Sequence, residues 1–279
     1  MTLNSSLIVA LAVAGASRVC AEEVWTAPVS EPAGAIVVRV VMVQDEEGKP
    51  FAAGQAAAQA LQHAMGGVPL KAVVISECFE DQKNKQQLLA GVCAVTGPDC
   101  VFGGATYGSF TQAGCTDYDS VCLLGIGGDG IGVSAALVTE LGTAKLTVAE
   151  QQAEITERLQ AAGKSLAEKL PRTDRDRLLL LIPDAHSPKN RYLLAGVQQV
   201  LGQQFPATGG SVNKNAGQTF VYFQGQPYQD SALALMLSGD FTVAMSGRQA
   251  NENQRVIATA NQAAREALAK TQGQPLGVL

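Results

Sequence analysis

Four short segments carry the residue types that a ligand site needs: Ser76-Glu77, Gly103-Gly104-Ala105-Thr106-Tyr107, Asp184-Ala185-His186-Ser187 and Gly209-Gly210-Ser211-Val212-Asn213. Paired glycines let backbone N–H groups come close to a bound molecule, and Thr106, Ser211 and Asn213 add short donors and acceptors. The same glycines also suit turns of positive φ, so a cradle and a plain turn both stay open. The expected ligand contacts are Gly103, Gly104, Thr106, Tyr107, Asp184, His186, Gly209, Gly210, Ser211 and Asn213.

His186, one of two histidines, offers a hydrolase reading in which it acts as general base beside Asp184 and Ser187. Triad members are brought together by the fold rather than by adjacency in sequence, so no catalytic residue is expected and the chain reads as a non-enzyme. Two histidines without a spaced carboxylate, and cysteines with no CxxC and no histidine among them, form no recognisable metal set. No metal and no cofactor are expected. Gly125-x-Gly127-x-x-Gly130 has the letters of a dinucleotide fingerprint, but residues 131–138 read as a strand where the fingerprint opens a helix. A glycine-rich turn fits better.

The elements that must position these segments occur twice. Leu88-Leu89-Ala90-Gly91-Val92 recurs as Leu193-Leu194-Ala195-Gly196-Val197, and each copy is followed by a glycine pair, then Asp119-Ser120 with Gly128-Asp129, or Asp230-Ser231 with Gly239-Asp240. A repeat of this length is too long for a solenoid unit, so each copy is expected to be half of one domain. Residues 36–43, 72–75 and 178–182 are apolar or β-branched strands, and the continuous run 178–182 is expected to be buried on both faces, by helices on at least one side. Leu88, Leu89, Val92 and Val95 share one helical face, as do Leu193, Leu194, Val197 and Val200. Gly91 and Gly196 inside these helices suggest a backbone packed closely on a sheet, because glycine there otherwise costs about 1 kcal/mol relative to alanine. Thr147-x-x-Glu150 is a capping box opening the second half. Later stretches read as strands joined by turns, so the fold class is α/β, with mixed parallel and antiparallel sheets and two repeated halves, about 34–146 and 147–248. Ligands of such sheets collect outside the carboxyl ends of the strands.

With 47% hydrophobic and 16% charged residues the chain builds a large core. A net charge of -5 and the lack of any Lys/Arg cluster exclude nucleic acid as an expected partner. Residues 7–14 are an apolar run, and Val19-Cys20-Ala21 fits a cleavage site, so residues 1–21 read as a secretory signal without a basic n-region and residues 22–33 as a linker. The expected location is secreted or periplasmic, with no membrane contact after cleavage. Cys78, Cys93, Cys100, Cys115 and Cys122 would remain. Their spacing invites Cys93–Cys100 and Cys115–Cys122 bridges, with core filling as the alternative.

The order of elements and the loop wording resemble the FIST N-terminal domain family, sensory modules of bacterial signal transduction. Where that family runs a strand into Gly-Cys-Ser-Thr-x-Gly, this chain has Gly103-Gly104-Ala105-Thr106-Tyr107-Gly108. The family's Pro-Asp after an apolar strand is matched by Pro183-Asp184, its Leu-x-Gly helix by Leu194-Ala195-Gly196, and its glycine pair by Gly209-Gly210. Asn213 stands where members often carry Asp. The resemblance covers about 34–248 and implies a domain that binds a small polar molecule such as an amino acid and signals through a separate partner protein. Residues 249–279 then read as a C-terminal helix and a linker-like tail. A structural or interaction domain without a ligand is the remaining alternative.

Overall fold

The structure is a computed structural model that describes residues 5–9, 34–111, 114–116, 118–184, 189–213, 219–246, 256–270 and 275–278. The order is β1 (Ser5–Val9), β2 (Val37–Gln44), α1 (Pro50–Met65), β3 (Leu70–Cys78), α2 (Gln82–Thr96), β4 (Val101–Ala105), β5 (Ser109–Thr111), β6 (Gly114–Thr116), β7 (Ser120–Gly127), β8 (Ile131–Val138), α3 (Val148–Lys169), β9 (Asp176–Pro183), α4 (Asn190–Leu201), β10 (Ala207–Gly209), β11 (Val221–Phe223), β12 (Gln226–Tyr228), β13 (Ala232–Gly239), β14 (Phe241–Met245), α5 (Val256–Ala269) and β15 (Pro275–Val278).

Two sheets have the same inner plan. The first contains β4-β3-β7-β2 and the second β10-β9-β13-β8. In each, the last strand lies antiparallel between the first two: β7 between β2 and β3, β13 between β8 and β9. In each, a short parallel strand follows the second helix, β4 on β3 and β10 on β9. The expected α/β class with mixed sheets and two repeated halves is therefore the architecture of the molecule. The structural repeat restarts at β8, however, which the reading of the Thr147 capping box left in the first half. The sequence marks residues 131–138 as a strand but not as the start of a unit, because a tight glycine turn joins β8 to β7, whereas its partner among the described residues is β13.

Alternation along the strands builds four layers. Val73, Ile75 and Leu123 face α1 and α2, packing on Leu61, Leu88 and Val92. Leu179, Leu181 and Met236 face α3 and α4, packing on Ile155, Leu159 and Val197. The opposite faces of the two sheets close on each other through Ala72, Phe102, Ile126, Leu178, Leu180, Leu233 and Leu235. Each buried side chain of this kind contributes about 1.5–3 kcal/mol of transfer free energy.

Local chemistry fixes the helix ends. Pro50 opens α1 and Gly66 closes it at φ 61°. Buried Arg39 donates from Nε to Ala64 O at 3.1 Å, placing a cation at the carboxyl end of α1. Asp81 caps α2 by accepting from Lys83 N and Asn84 N. At α3 the box is closed differently from the expected one: Gln151, not Glu150, accepts the Thr147 N–H at 2.9 Å.

The glycines of the repeated helices pack on a helix rather than on a sheet. A Cβ on Gly91 would lie 2.1 Å from Phe51 O and one on Gly54 2.3 Å from Leu88 O, so α1 and α2 cross backbone to backbone. Gly163 and Gly196 repeat this between α3 and α4, at 2.0 Å from Leu193 O and 2.1 Å from Gln160 O. The expected cysteine bridges are also not formed. Cys93, Cys100 and Cys122 are free thiols. Cys100 Sγ lies 3.6 Å from Thr96 O, and burial pushes the Cys122 thiol up to about 12.

Of the leader reading, residues 5–9 are described, as β1, and residues 10–33 lie outside the described residues. Among the described residues no helix is long and apolar enough to cross a membrane. The tail expected as a linker contains β15.

Candidate functional site

The two glycine pairs occupy equivalent places at the carboxyl ends of β4 and β10. Gly103 has φ 134° and a Cβ there would lie 2.0 Å from Ile75 O; Gly209 has φ 140° and would meet Leu181 O at 1.9 Å. The first glycine of each pair is thus required by contact with the neighbouring strand.

Beyond β10 the chain crosses to the first sheet. Val212 N donates to Pro183 O at 3.0 Å and Asn213 N donates to Ala105 O at 2.8 Å. The Val212 side chain covers Gly104, where an added Cβ would lie 2.1 Å from Val212 Cγ1 and 2.8 Å from Phe220 O. The structure therefore brings Gly104–Ala105 and Val212–Asn213 to one junction between the two units. At Gly104 the junction is closed by protein.

Around it, Thr106 N donates to Glu77 O at 2.7 Å and Thr106 Oγ1 to Gly108 O at 3.1 Å, while Tyr107 is 54% exposed. Gly210 and Ser211 are exposed. Asp184 is 1% exposed, and its Oδ2 accepts Asp230 N at 2.6 Å, which anchors a turn of positive φ at Asp230. His186 lies outside the described residues. Asn190, in the first turn of α4, was not singled out by its sequence context. Its Nδ2 donates to Ser211 Oγ and, at 3.5 Å, to Asp184 O, and its Oδ1 is buried with no hydrogen-bond partner. A buried acceptor left unpaired costs about 1–3 kcal/mol, which a donor on a bound molecule can recover.

A second cluster lies on the outer face of the first sheet. Glu77, Lys85 and Tyr222 are 0%, 2% and 1% exposed. Lys85 Nζ donates to Glu77 Oε1 at 3.0 Å and to Oε2 at 3.1 Å, Tyr222 OH donates to Oε1 at 2.7 Å, and Phe79 N donates to Oε2 at 2.8 Å. Each carboxylate oxygen holds two donors, so the ion pair is fully satisfied. Burial, and then the Glu77 carboxylate, push the Tyr222 hydroxyl well above the usual tyrosine range. Tyr222 arrives on β11, a strand of the second unit that pairs with β4. The sequence marks Ser76-Glu77 as a strand end but carries no sign of this partner. In the second unit Asn190 stands where Lys85 stands in the first, three residues before the repeated Leu-Leu-Ala-Gly. The neighbouring Lys189 is buried and donates to Thr143 O, and burial pulls its ammonium below the usual lysine range. Among the described residues no group of three or more His, Cys, Asp or Glu is placed to hold a metal ion.

Comparison with known proteins adds a family. The FIST N domain family model matches residues 71–266. No curated protein matches the chain. Two solved structures of cyanuric acid hydrolase are similar to part of the chain. One, described as evolutionary innovation by structural concatenation, has TM-score 0.39 and 9% identity over 76% of this chain and 71% of that chain. The other, from A. caulinodans, has TM-score 0.40 and 8% identity over 75% of this chain and 72% of that chain.

Proposed function

The chain belongs to the FIST N domain family of sensory ligand-binding domains, and from that premise we propose that it binds a small polar molecule, an amino acid or close relative, at the junction of its two units. The unpaired Oδ1 of Asn190 beside the Ser211 hydroxyl carries this reading. An ammonium group placed between them would satisfy the carbonyl and give the exposed hydroxyl a second partner. Asp184 supports the junction, since its Oδ2 accepts Asp230 N. The N-terminal apolar run and Val19-Cys20-Ala21 support a site facing the periplasm or the exterior. The signal then passes through a separate protein.

A thermal-shift screen of amino acids and small carboxylates tests this. A ligand that binds only the native state at a hundred times its Kd adds about 2.7 kcal/mol. Stabilisation by one class, saturable and stereoselective, is the expected result. A flat response across the panel contradicts it.

A further inference from the structure

Each unit carries a small hairpin between its glycine-pair strand and its last strand. In the first unit β5 and β6 follow β4 and precede β7; in the second β11 and β12 follow β10 and precede β13. The two hairpins are built alike. Ser109↔Thr116 and Thr111↔Gly114 close one over a two-residue turn, and Val221↔Tyr228 and Phe223↔Gln226 close the other in the same way. β5 touches β7 as β11 touches β13, so each hairpin leans on the last strand of its own unit.

The hairpins differ in what lies on their far side. β11 pairs antiparallel with the outer edge of β4, in the register Val221↔Gly104, Tyr222↔Gly103 and Phe223↔Phe102, whereas β5 and β6 form a two-stranded sheet that joins no other. The complementary difference lies on β10. Its inner edge meets β9 as that of β4 meets β3: Leu179 N donates to Pro206 O and Val212 N to Pro183 O, where Val73 N donates to Cys100 O and Thr106 N to Glu77 O. Ala207, Gly209 and Ser211 therefore stand where Val101, Gly103 and Ala105 stand. In the first unit Val101 O accepts Gly225 N at 3.1 Å, Ala105 N donates to Phe220 O at 3.1 Å, and Val101–Ala105 is buried throughout. In the second, among the described residues, β10 ends its sheet, Ala207 O and Ser211 N have no backbone partner, and Gly209, Gly210 and Ser211 are exposed.

We infer that the chain pairs with a second copy of itself, the β5–β6 hairpin of each copy docking antiparallel on the β10 edge of the other. An open sheet edge presents unpaired N–H and C=O groups, a template for strand addition. The occupant is a second copy because, among the described residues, the chain holds both halves of this contact without their mates and already makes the same contact once between its own units. Reciprocal docking about a two-fold axis pairs both edges in both copies and closes the assembly at two. The β4–β11 register, carried over to the corresponding positions, sets Thr111 opposite Thr208, Phe110 opposite Gly209 and Ser109 opposite Gly210.

The test uses the full chain. Light scattering of the parent over a concentration series should give twice the mass of one chain. Thr111→Cys and Thr208→Cys, made as separate variants, are then oxidised alone and as a mixture. A disulfide between positions 111 and 208, identified by peptide mapping, should form only in the mixture, where it must join two chains. Ser109 and Thr111 hold the hairpin together, which turns the Phe110 N–H outward to the docked edge. Phe110→Pro removes that donor and should lower the mass to that of one chain, with the circular dichroism spectrum of the parent retained. A single-chain mass for the parent at every concentration, no bridge between 111 and 208 in the mixture, or a folded Phe110→Pro variant that keeps the double mass each overturns the inference.

Discussion

Tyr222 and Glu77, 145 positions apart, meet at 2.7 Å with both side chains out of solvent. This bond fastens the second unit to the first. Tyr222→Phe removes one donor from a carboxylate that keeps Lys85 and Phe79 N, and is expected to cost about 1.5–3 kcal/mol. Glu77→Gln leaves the Lys85 ammonium buried without its counter-charge, and is expected to cost about 3–5 kcal/mol. Denaturant unfolding of both variants ranks them. A milder effect for Glu77→Gln would show that Lys85 reaches solvent.

The helix crossings predict a result opposite in sign to helix propensity. Gly196→Ala on an isolated helix would stabilise by about 1 kcal/mol. Here the new methyl would lie 2.1 Å from Gln160 O, so the helices must part. A loss of several kcal/mol is expected. A gain in melting temperature would contradict the backbone contact.

Stability should fall at both ends of the pH range, for different groups. Burial raises the Cys122 thiol from 9.0 to about 12, and burial with Cys100 nearby raises Cys93 to about 11. Tyr222 is raised also. A folded-state pKa above the unfolded value means protons are held more tightly in the native state, so this stability is complete below about pH 9 and is lost as pH climbs through about 11 and 12. Asp176 works in the other direction. Burial raises its carboxyl, but hydrogen bonds from Arg172, Ser238 and Thr173 outweigh this and hold it below the usual carboxylate range. Its contribution is present at neutral pH and is lost as the pH falls below 3.8. Asp176→Asn should flatten the acid limb and leave the alkaline limb unchanged.

Much of the fold was legible because it rests on local pattern. The 3.6-residue stripe of Leu88 and Val92, the proline and glycine that bound α1, and the apolar run of β9 each announce an element, and the duplicated landmarks announce two units. What was not legible depends on pairing across long separations. β8 reads as the tail of a meander until β13 is seen beside it. Gly91 and Gly196 call for a close neighbour without saying whether it is sheet or helix. Both glycine pairs lie at strand ends beside the junction, yet Gly103, Gly104 and Gly209 are accounted for by strand and side-chain packing. Asn190 went unnoticed because an asparagine opening a helix looks like a cap; only the fold places it on Ser211.

The ligand reading is tested most directly by calorimetric titration of the best amino-acid ligand from the screen into three proteins: the parent chain, Asn190→Leu and Ser211→Ala. The junction site predicts that Asn190→Leu lowers affinity about tenfold or more, since a hydrogen bond to a charged group contributes about 1.5–3 kcal/mol. Ser211→Ala should lower it less, by about 0.5–1.5 kcal/mol if its contact is a neutral one. Thr106→Val, whose hydroxyl is turned to Gly108 O, should leave affinity unchanged. Undiminished binding in both Asn190→Leu and Ser211→Ala would contradict the account and move the ligand away from the junction.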